Sequence, residues 1–454
     1  MAIHSARRGR RLMAAAAATA ALALGAACSG PGGGGGGSGD TGGGDATDAD
    51  GVATVTVWAW YPEFQEVVDV FNASHEDVQV ELVNAGVGED AYAKLRTALE
   101  SGSGAPDLIQ MELSEMPSFM VMDGLLDIGP YGATEVADSY PEWVWDQVSQ
   151  GDAVYAIPVD AGPIGMFYRA DLYEEYGLEP ATTWEEYRAT AEALKAANPD
   201  LYLSDFQVGN ASNLVGLIQQ AGGAPYGYDF SNPEEVVINF DNEITRQVLN
   251  YWGDMIAEGL IDDAPYHSTD WDAGIAAGTY LTTIEAAWRP GYLGNIAEAT
   301  SGSWRVAPMP QWNEGDDLQG NHGGSTFAVT SQTDSPEAAA QVAIEIFGSE
   351  EPWEVGIDKA FLFPVFNPVA ESPDFLERPY EFFGDQPVNE IFVPAAQSVS
   401  PLSFTPFDSF AKSTINEQVA SAIAGEQTMD EAAAAIQQIL VDYAESVGMT
   451  VSEG

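Results

Sequence analysis

The stretch "VTVWAWYPEFQEVVDVFNASHEDVQVELV", residues Val55–Val83, decides the fold class. Val55 and Val57 alternate with polar neighbours, the period of a strand with one buried face. Pro62 then opens a helical pattern in which Phe64, Val67, Val68 and Phe71 fall at i, i+3, i+4 and i+7. Val78, Val80 and Leu82 return to alternation, and Tyr92, Leu95 and Leu99 mark a second helical face. A Gly/Ser loop leads to Pro106 and the apolar run "DLIQM". Strand, helix, strand, helix, strand predicts a sheet of parallel strands covered by helices. Such sheets bind ligands at the carboxyl ends of their strands. The positions to watch are therefore Trp58, Trp60, Tyr61 and Glu63 after the first strand, and Glu112 with Ser114 after the third.

Further along, Thr183 and Glu186 stand at capping-box spacing ahead of a helix. Ser335 and Pro336 occupy the N-cap and first position of another, which stops by Gly348. A last helix starts at Thr428–Glu431, with Ile436, Ile439, Leu440, Tyr443 and Val447 on its apolar face. Trp143 and Trp145 read as packing residues.

The N-terminus is built differently. Arg7, Arg8, Arg10 and Arg11 precede the apolar run Leu12–Ala27, which is shorter than the roughly 20 residues a membrane span requires and matches an export leader. Cys28, the only cysteine, follows at the point of cleavage. "LGAAC" resembles the lipobox of bacterial lipoproteins, with Leu24 one place further from the cysteine than usual. Residues 1–28 are thus expected to be a lipoprotein signal, with Cys28 the lipid anchor at the extracellular face of the membrane. Paired arginines leave both general and twin-arginine export open. Residues 29–51, rich in Gly, Asp, Ser and Thr, contain nothing to bury and are expected to be a tether.

The leader contains four of the 15 basic residues and none of the 70 acidic ones, leaving 11 against 70 and a formal charge of −59. Nucleic acid is excluded as a partner, because its binding depends on Lys and Arg neutralising phosphates. Without a second cysteine, hydrophobic burial must hold the fold. About 400 residues suit two domains.

The order of segments resembles the extracellular solute-binding proteins of family 1, receptor subunits of sugar-importing ABC transporters. The resemblance covers Val52–Val447. It is carried by Val55–Val83, by "APDLIQMELSEMPSFMVMDGLLDI", by "YAIPVDAGPIGMFYRADLYEEYGLEPATTWEEY", by "IEAAWRPGYLGNI", by "WRVAPMPQWNEG", by "GGSTFAVTSQTDSPEAAAQVAIEIF" and by "FPVFNP". Arg169 departs from the pattern, standing where the family commonly has Asn. The resemblance implies a two-lobed α/β fold of the periplasmic-binding-protein type II class. Each lobe would be a mostly parallel sheet flanked by helices, with the ligand cleft between lobes. It places lobe 1 at 52–158 and 282–328, and lobe 2 at 159–281 and 329–454. "AIPVDAGP" would make one crossing and the region after "GGSTFAVT" another. A monomer that closes on a sugar and hands it to ABC permease transmembrane subunits is implied, without cofactor.

A sugar offers apolar C–H faces and hydroxyl edges, so its receptor needs aromatic plates and hydrogen-bonding carboxylates or amides. The candidates are Trp58, Trp60, Tyr61, Glu63, Glu112, Asp160 at the crossing, Trp271, Trp288 and Arg289 at a strand end, and Gly323 and Gly324, where backbone can approach a ligand or simply end a loop. Trp288 is expected to stack. Neutral ligands are expected over phosphorylated ones. A polyamine or other small cation suits the same residue types, and a lipid-anchored glycosidase with two carboxylates is the enzymatic alternative. His267 and His322 lack metal-ligand spacing, and no metal is expected.

Overall fold

The computed structural model describes residues 51–452. Cys28, the leader and the tether up to residue 50 lie outside the described residues. In chain order the strands are β1 (Ala53–Trp58), β2 (Val78–Val83), β3 (Leu108–Glu112), β4 (Ser149–Gln150), β5 (Ala153–Val154), β6 (Ala156–Pro158), β7 (Ile164–Arg169), β8 (Tyr226–Tyr228), β9 (Glu235–Ile238), β10 (Thr282–Ala286), β11 (Trp304–Ala307), β12 (Ser325–Val329) and β13 (Thr450–Ser452).

The opening segment folds as its periodicity predicts. The helix Phe64–Ser74 buries Phe64, Val67, Val68 and Phe71, and Glu89–Ser101 buries Tyr92 and Leu95. β1 pairs with β2 and β3 in parallel. The five-stranded sheet has the order β2-β1-β3-β12-β6, with β12 antiparallel to both its neighbours. Val55, Val57, Leu108, Ile109 and Phe327 pack there with the first helix, and the helix Pro336–Glu345 covers the same sheet.

The second lobe departs from the expected parallel pattern. β7 lies between β10 and β11 and is antiparallel to both, while β9 pairs antiparallel with β8 and parallel with β13. The expected grouping of 282–328 with the first lobe is corrected accordingly: β10 and β11 hydrogen-bond to β7, and only β12 joins the first sheet. The expected assignment of everything after 329 to lobe 2 also fails, because Pro336–Glu345 packs on β12 and β1, and Glu350–Ala360 packs on the first helix. A second apolar core gathers Met166, Trp184, Tyr187, Trp252, Ile284 and Leu440 around these strands and helices.

Three passages of chain run between the sheets and lie side by side. Residues 159–163 exchange backbone hydrogen bonds with both 322–325 and 363–365, including His322 N to Gly162 O at 2.7 Å and Ala161 N to Phe363 O at 3.2 Å. Gly162 is required here, since a Cβ at this position would lie 1.9 Å from the His322 carbonyl. Smaller expectations resolve individually. Thr428 and Glu431 form the full capping box; in the other pair, the Thr183 hydroxyl accepts from Glu186 N at 3.2 Å, while the Glu186 carboxylate accepts from Thr182 N and the Thr182 hydroxyl. Val447 is exposed, just past its helix. Trp143 is buried, with its indole N–H donating to Ala396 O, and Trp145 stacks on Tyr140. Arg169 pairs with Asp171 at 2.6 Å and lies over the Trp304 ring.

Candidate functional site

Where the three passages meet, a cleft of about 500 Å³ opens between the lobes, within the range of small-molecule sites. Its first wall is made by the end of β1. The side chain of Gln110, on β3, accepts hydrogen bonds from Trp60 N at 2.8 Å and Tyr61 N at 3.2 Å, which turns the chain and presents both rings to the cleft. Trp60 is braced edge-on by Tyr92 at 5.7 Å. Trp58 ends β1, paired with Val83 and Ile109 inside the sheet, and does not line the cleft, which begins only where the chain leaves the strand at Trp60 and Tyr61. Glu63 is likewise outside it, exposed and in a left-handed turn with φ 51°.

Asp160, on the first passage, accepts hydrogen bonds from Ser325 N at 2.8 Å and the Tyr61 hydroxyl at 3.3 Å. Burial pushes its carboxyl up to about 7, against the pull of those two donors. Gly323 and Gly324 line the cleft next to it with φ 85° and 103°. A Cβ on Gly324 would press on the Asp160 carbonyl at 3.0 Å.

Glu112 lines the cleft beside Lys412, from the helix Asp408–Ile423. The Lys412 ammonium lies 2.7 Å from Asp408, 2.8 Å from the Ser114 hydroxyl and 3.7 Å from Glu112. Burial opposes its charge, but Asp408 and Glu112 outweigh that and hold it above the ordinary lysine value. Ser409, one turn earlier, lies 2.8 Å from both Glu89 and Glu115. The only lysine or arginine among the described residues lining the cleft is thus already matched by carboxylates.

The opposite wall is aromatic. Trp288 lines the cleft two residues beyond β10, its indole N–H donating to the His322 carbonyl at 3.0 Å, with Tyr292 edge-on at 5.8 Å. Tyr266, His267 and His322 continue this wall, so both histidines set aside as metal ligands face the cleft as rings. His322 is held down at about 3 by burial, then by Lys412 and Arg289, and is neutral. Trp271 and Arg289 are corrected from lining to support, both 0 % exposed. The Arg289 guanidinium lies under the wall, 4.6 Å from the Trp271 ring and 5.7 Å from those of Tyr266 and Tyr292. It is 3.6 Å from Glu285, and the Trp271 indole donates to Asp205 at 2.6 Å. Proline at 290 starts a helix, which turns Arg289 inward while Trp288 stays at the surface.

Sequence reasoning overlooked Lys412, Tyr266, Phe361 and Phe404. Asp408 and Lys412 do stand at i, i+4, a readable ion-pair signal. Phe361 caps the helix Glu350–Ala360 in a left-handed conformation (φ 55°), is 42 % exposed, and reaches over Gly291, where a Cβ would lie 2.4 Å from its ring. The cleft as a whole offers ring faces on two sides and oxygen acceptors with amide and hydroxyl donors between them.

A family model described as bacterial extracellular solute-binding protein matches residues 58–351. The chain belongs to that family. Among its relatives, the arabinooligosaccharide-binding protein of Halalkalibacterium halodurans is 25 % identical over 390 residues, covering 80 % of this chain and 82 % of the relative. The lactose-binding protein of Rhizobium radiobacter is 23 % identical over 362 residues, covering 74 % and 80 %. Among solved structures, the ABC-transporter binding protein of B. animalis subsp. lactis in complex with beta-1,6-galactobiose superposes with a TM-score of 0.77 at 29 % identity, covering 88 % of this chain and all of that one. The galacto-N-biose-/lacto-N-biose I-binding protein of Bifidobacterium longum, in complex with lacto-N-biose, gives 0.79 at 25 % identity, covering 89 % and all of that chain. The two-lobed fold of this solute-binding protein is therefore the one those receptors share, and among its described residues no helix is long and apolar enough to cross a membrane.

Proposed function

We propose that this solute-binding protein is the receptor of an ABC importer that captures a neutral di- or oligosaccharide between its lobes, closes on it as a monomer and delivers it to the permease. The observation that carries the reading is the pairing of aromatic walls (Trp60, Tyr61, Trp288, Tyr266) with a floor of oxygen acceptors in which Lys412 is already neutralised. Ring faces stack on sugar C–H surfaces while Glu112, Asp160 and Asn321 address hydroxyls. Among the described residues lining the cleft, an anionic ligand finds no free cation. The sugars named for the relatives support the same class. Binding and release, without turnover, is the role proposed, with Cys28 acylated so that the tether holds the lobes at the outer membrane surface. The lobes would divide at the three passages.

Calorimetry against a carbohydrate panel, putrescine and a sugar phosphate tests this. A neutral saccharide is expected to bind tightest and to be recovered unchanged; tighter binding of putrescine or the phosphate, or cleavage of the saccharide, overturns it. An acyl mass on the Cys28 peptide from membranes checks the anchor. Phe361→Gly should relieve a left-handed residue that costs about 1–2 kcal/mol and lose a ring at the cleft mouth. Unfolding free energy should therefore change by less than about 1 kcal/mol while saccharide affinity falls roughly fivefold, about 1 kcal/mol; unchanged affinity would place Phe361 outside the bound complex.

A further inference from the structure

A second cavity of about 460 Å³ adjoins the cleft, and Phe404 lines both. Elsewhere the same segments stand between the two. Glu112 and Ser114 face the cleft while Leu113, between them, faces the chamber; Tyr226 of β8 lines the cleft and Tyr228, two residues on, lines the chamber. Trp143 and Phe230 complete an aromatic interior. The rim is polar: Gln147, Ser149 and Asp229 there are engaged within the chain, whereas the side chains of Asp146, Gln150 and Ser403 make no hydrogen bond to another described residue. Among the described residues, no lysine, arginine or histidine lines the chamber.

We propose that this chamber receives the outer units of a longer glycan whose first units occupy the cleft. The inference rests on the sugar reading above and adds the length of the ligand and a place for its extension. Flat apolar rings with a rim of unengaged acceptors and donors match the amphipathic faces of a neutral sugar. With no cation in the lining, a charged extension such as a uronate or phosphate would be buried without a counter-charge. An apolar peptide would use the rings but leave the rim unpaired. Because Leu113 comes from the end of β3 and Tyr228 from the second lobe, an occupant of the chamber touches both lobes, so its contacts add to those made in the cleft.

The test uses β-1,6-galacto-oligosaccharides and arabino-oligosaccharides of two to five units, measured by calorimetry on the full mature chain. In at least one series, affinity is expected to rise about tenfold or more between two and four units. Ser403→Trp, which fills the chamber from an exposed position, and Phe230→Ala, which removes a ring from it, are expected to abolish that rise and leave disaccharide affinity within twofold. Retained disaccharide affinity shows that the variants are folded. A flat length dependence with the disaccharide bound, or chamber variants that weaken the disaccharide as much as the tetrasaccharide, overturns the chamber alone. Failure of every length in both series, with putrescine binding instead, overturns the sugar reading and the chamber with it.

Discussion

Trp288→Ala is expected to lower saccharide affinity by roughly 30- to 1000-fold while leaving the fold largely intact. The indole is the broadest plate in the aromatic wall, and a buried tryptophan anchor at a binding hot spot is worth about 2–4 kcal/mol, which at 1.4 kcal/mol per tenfold gives that range. Its position is over-determined. The N–H is tied to the His322 carbonyl, Tyr292 and His322 hold it edge-on, and Gly162 leaves the space against which it rests. The plate is therefore ordered before ligand arrives and pays little entropy on binding. Because Trp288 is only partly buried, truncation should cost less stability than the roughly 3–5 kcal/mol of a core tryptophan. Trp288→Phe keeps a ring and loses the donor, so its affinity should fall between the two. Calorimetry and urea unfolding on the same preparations decide the matter: normal affinity with a large loss of stability would make Trp288 a packing residue.

What was legible in the sequence follows from what is local. The helix Phe64–Ser74 and strands β1 to β3 were readable because period and burial coincide there, and "YLTTIEAAW", Tyr280–Trp288, reads as a buried strand, of which Thr282–Ala286 forms β10 and Trp288 lies two residues beyond. Which strand it pairs with is a long-range fact. β10 joins β7 across more than 100 residues of chain, and its pattern is equally compatible with the other sheet, so the boundary 282–328 went wrong. The site divides in the same way. Trp60, Tyr61, Glu112, Asp160, Trp288, Gly323 and Gly324 follow strands or lie on a passage, and the cleft contains them. Trp58 still lies inside the strand and Glu63 is one turn away. Trp271 and Arg289 have the right chemistry one layer too deep, a matter of burial that residue type does not encode. Lys412, Phe404 and Tyr266 come from elements far along the chain, brought to the cleft by the packing of the second lobe.

Arg289→Met is expected to destabilise the protein by about 3–5 kcal/mol at pH 8, the usual cost of stripping one partner from a buried charge cluster, and by much less at pH 5. The guanidinium faces Glu285 and Asp205 from beneath the aromatic wall, and all three side chains are buried. Burial raises Glu285 to about 7 against the pull of Arg289, and raises Asp205 to about 6 against the Trp271 hydrogen bond and Arg289. Both carboxyls thus titrate above their unfolded values of about 4. The folded state holds more protons than the unfolded chain between about pH 4 and 7, so their contribution to stability is full below that window and falls as pH rises through it. Removing the guanidinium raises both carboxyls further, which extends the fall to higher pH and widens the gap between variant and parent as pH increases. Taking the difference between the two proteins cancels the background of the other carboxylates. Urea unfolding of both at pH 5 and pH 8 measures it, and equal losses at the two values would mean that Arg289 acts by filling space. Saccharide binding adds a second reading. Tyr266 and Tyr292 rest on the guanidinium, so the variant should bind more weakly even at pH 5, where it is stable, and Arg289→Lys, which keeps the charge without the planar stack, should restore the stability at pH 8 better than the affinity.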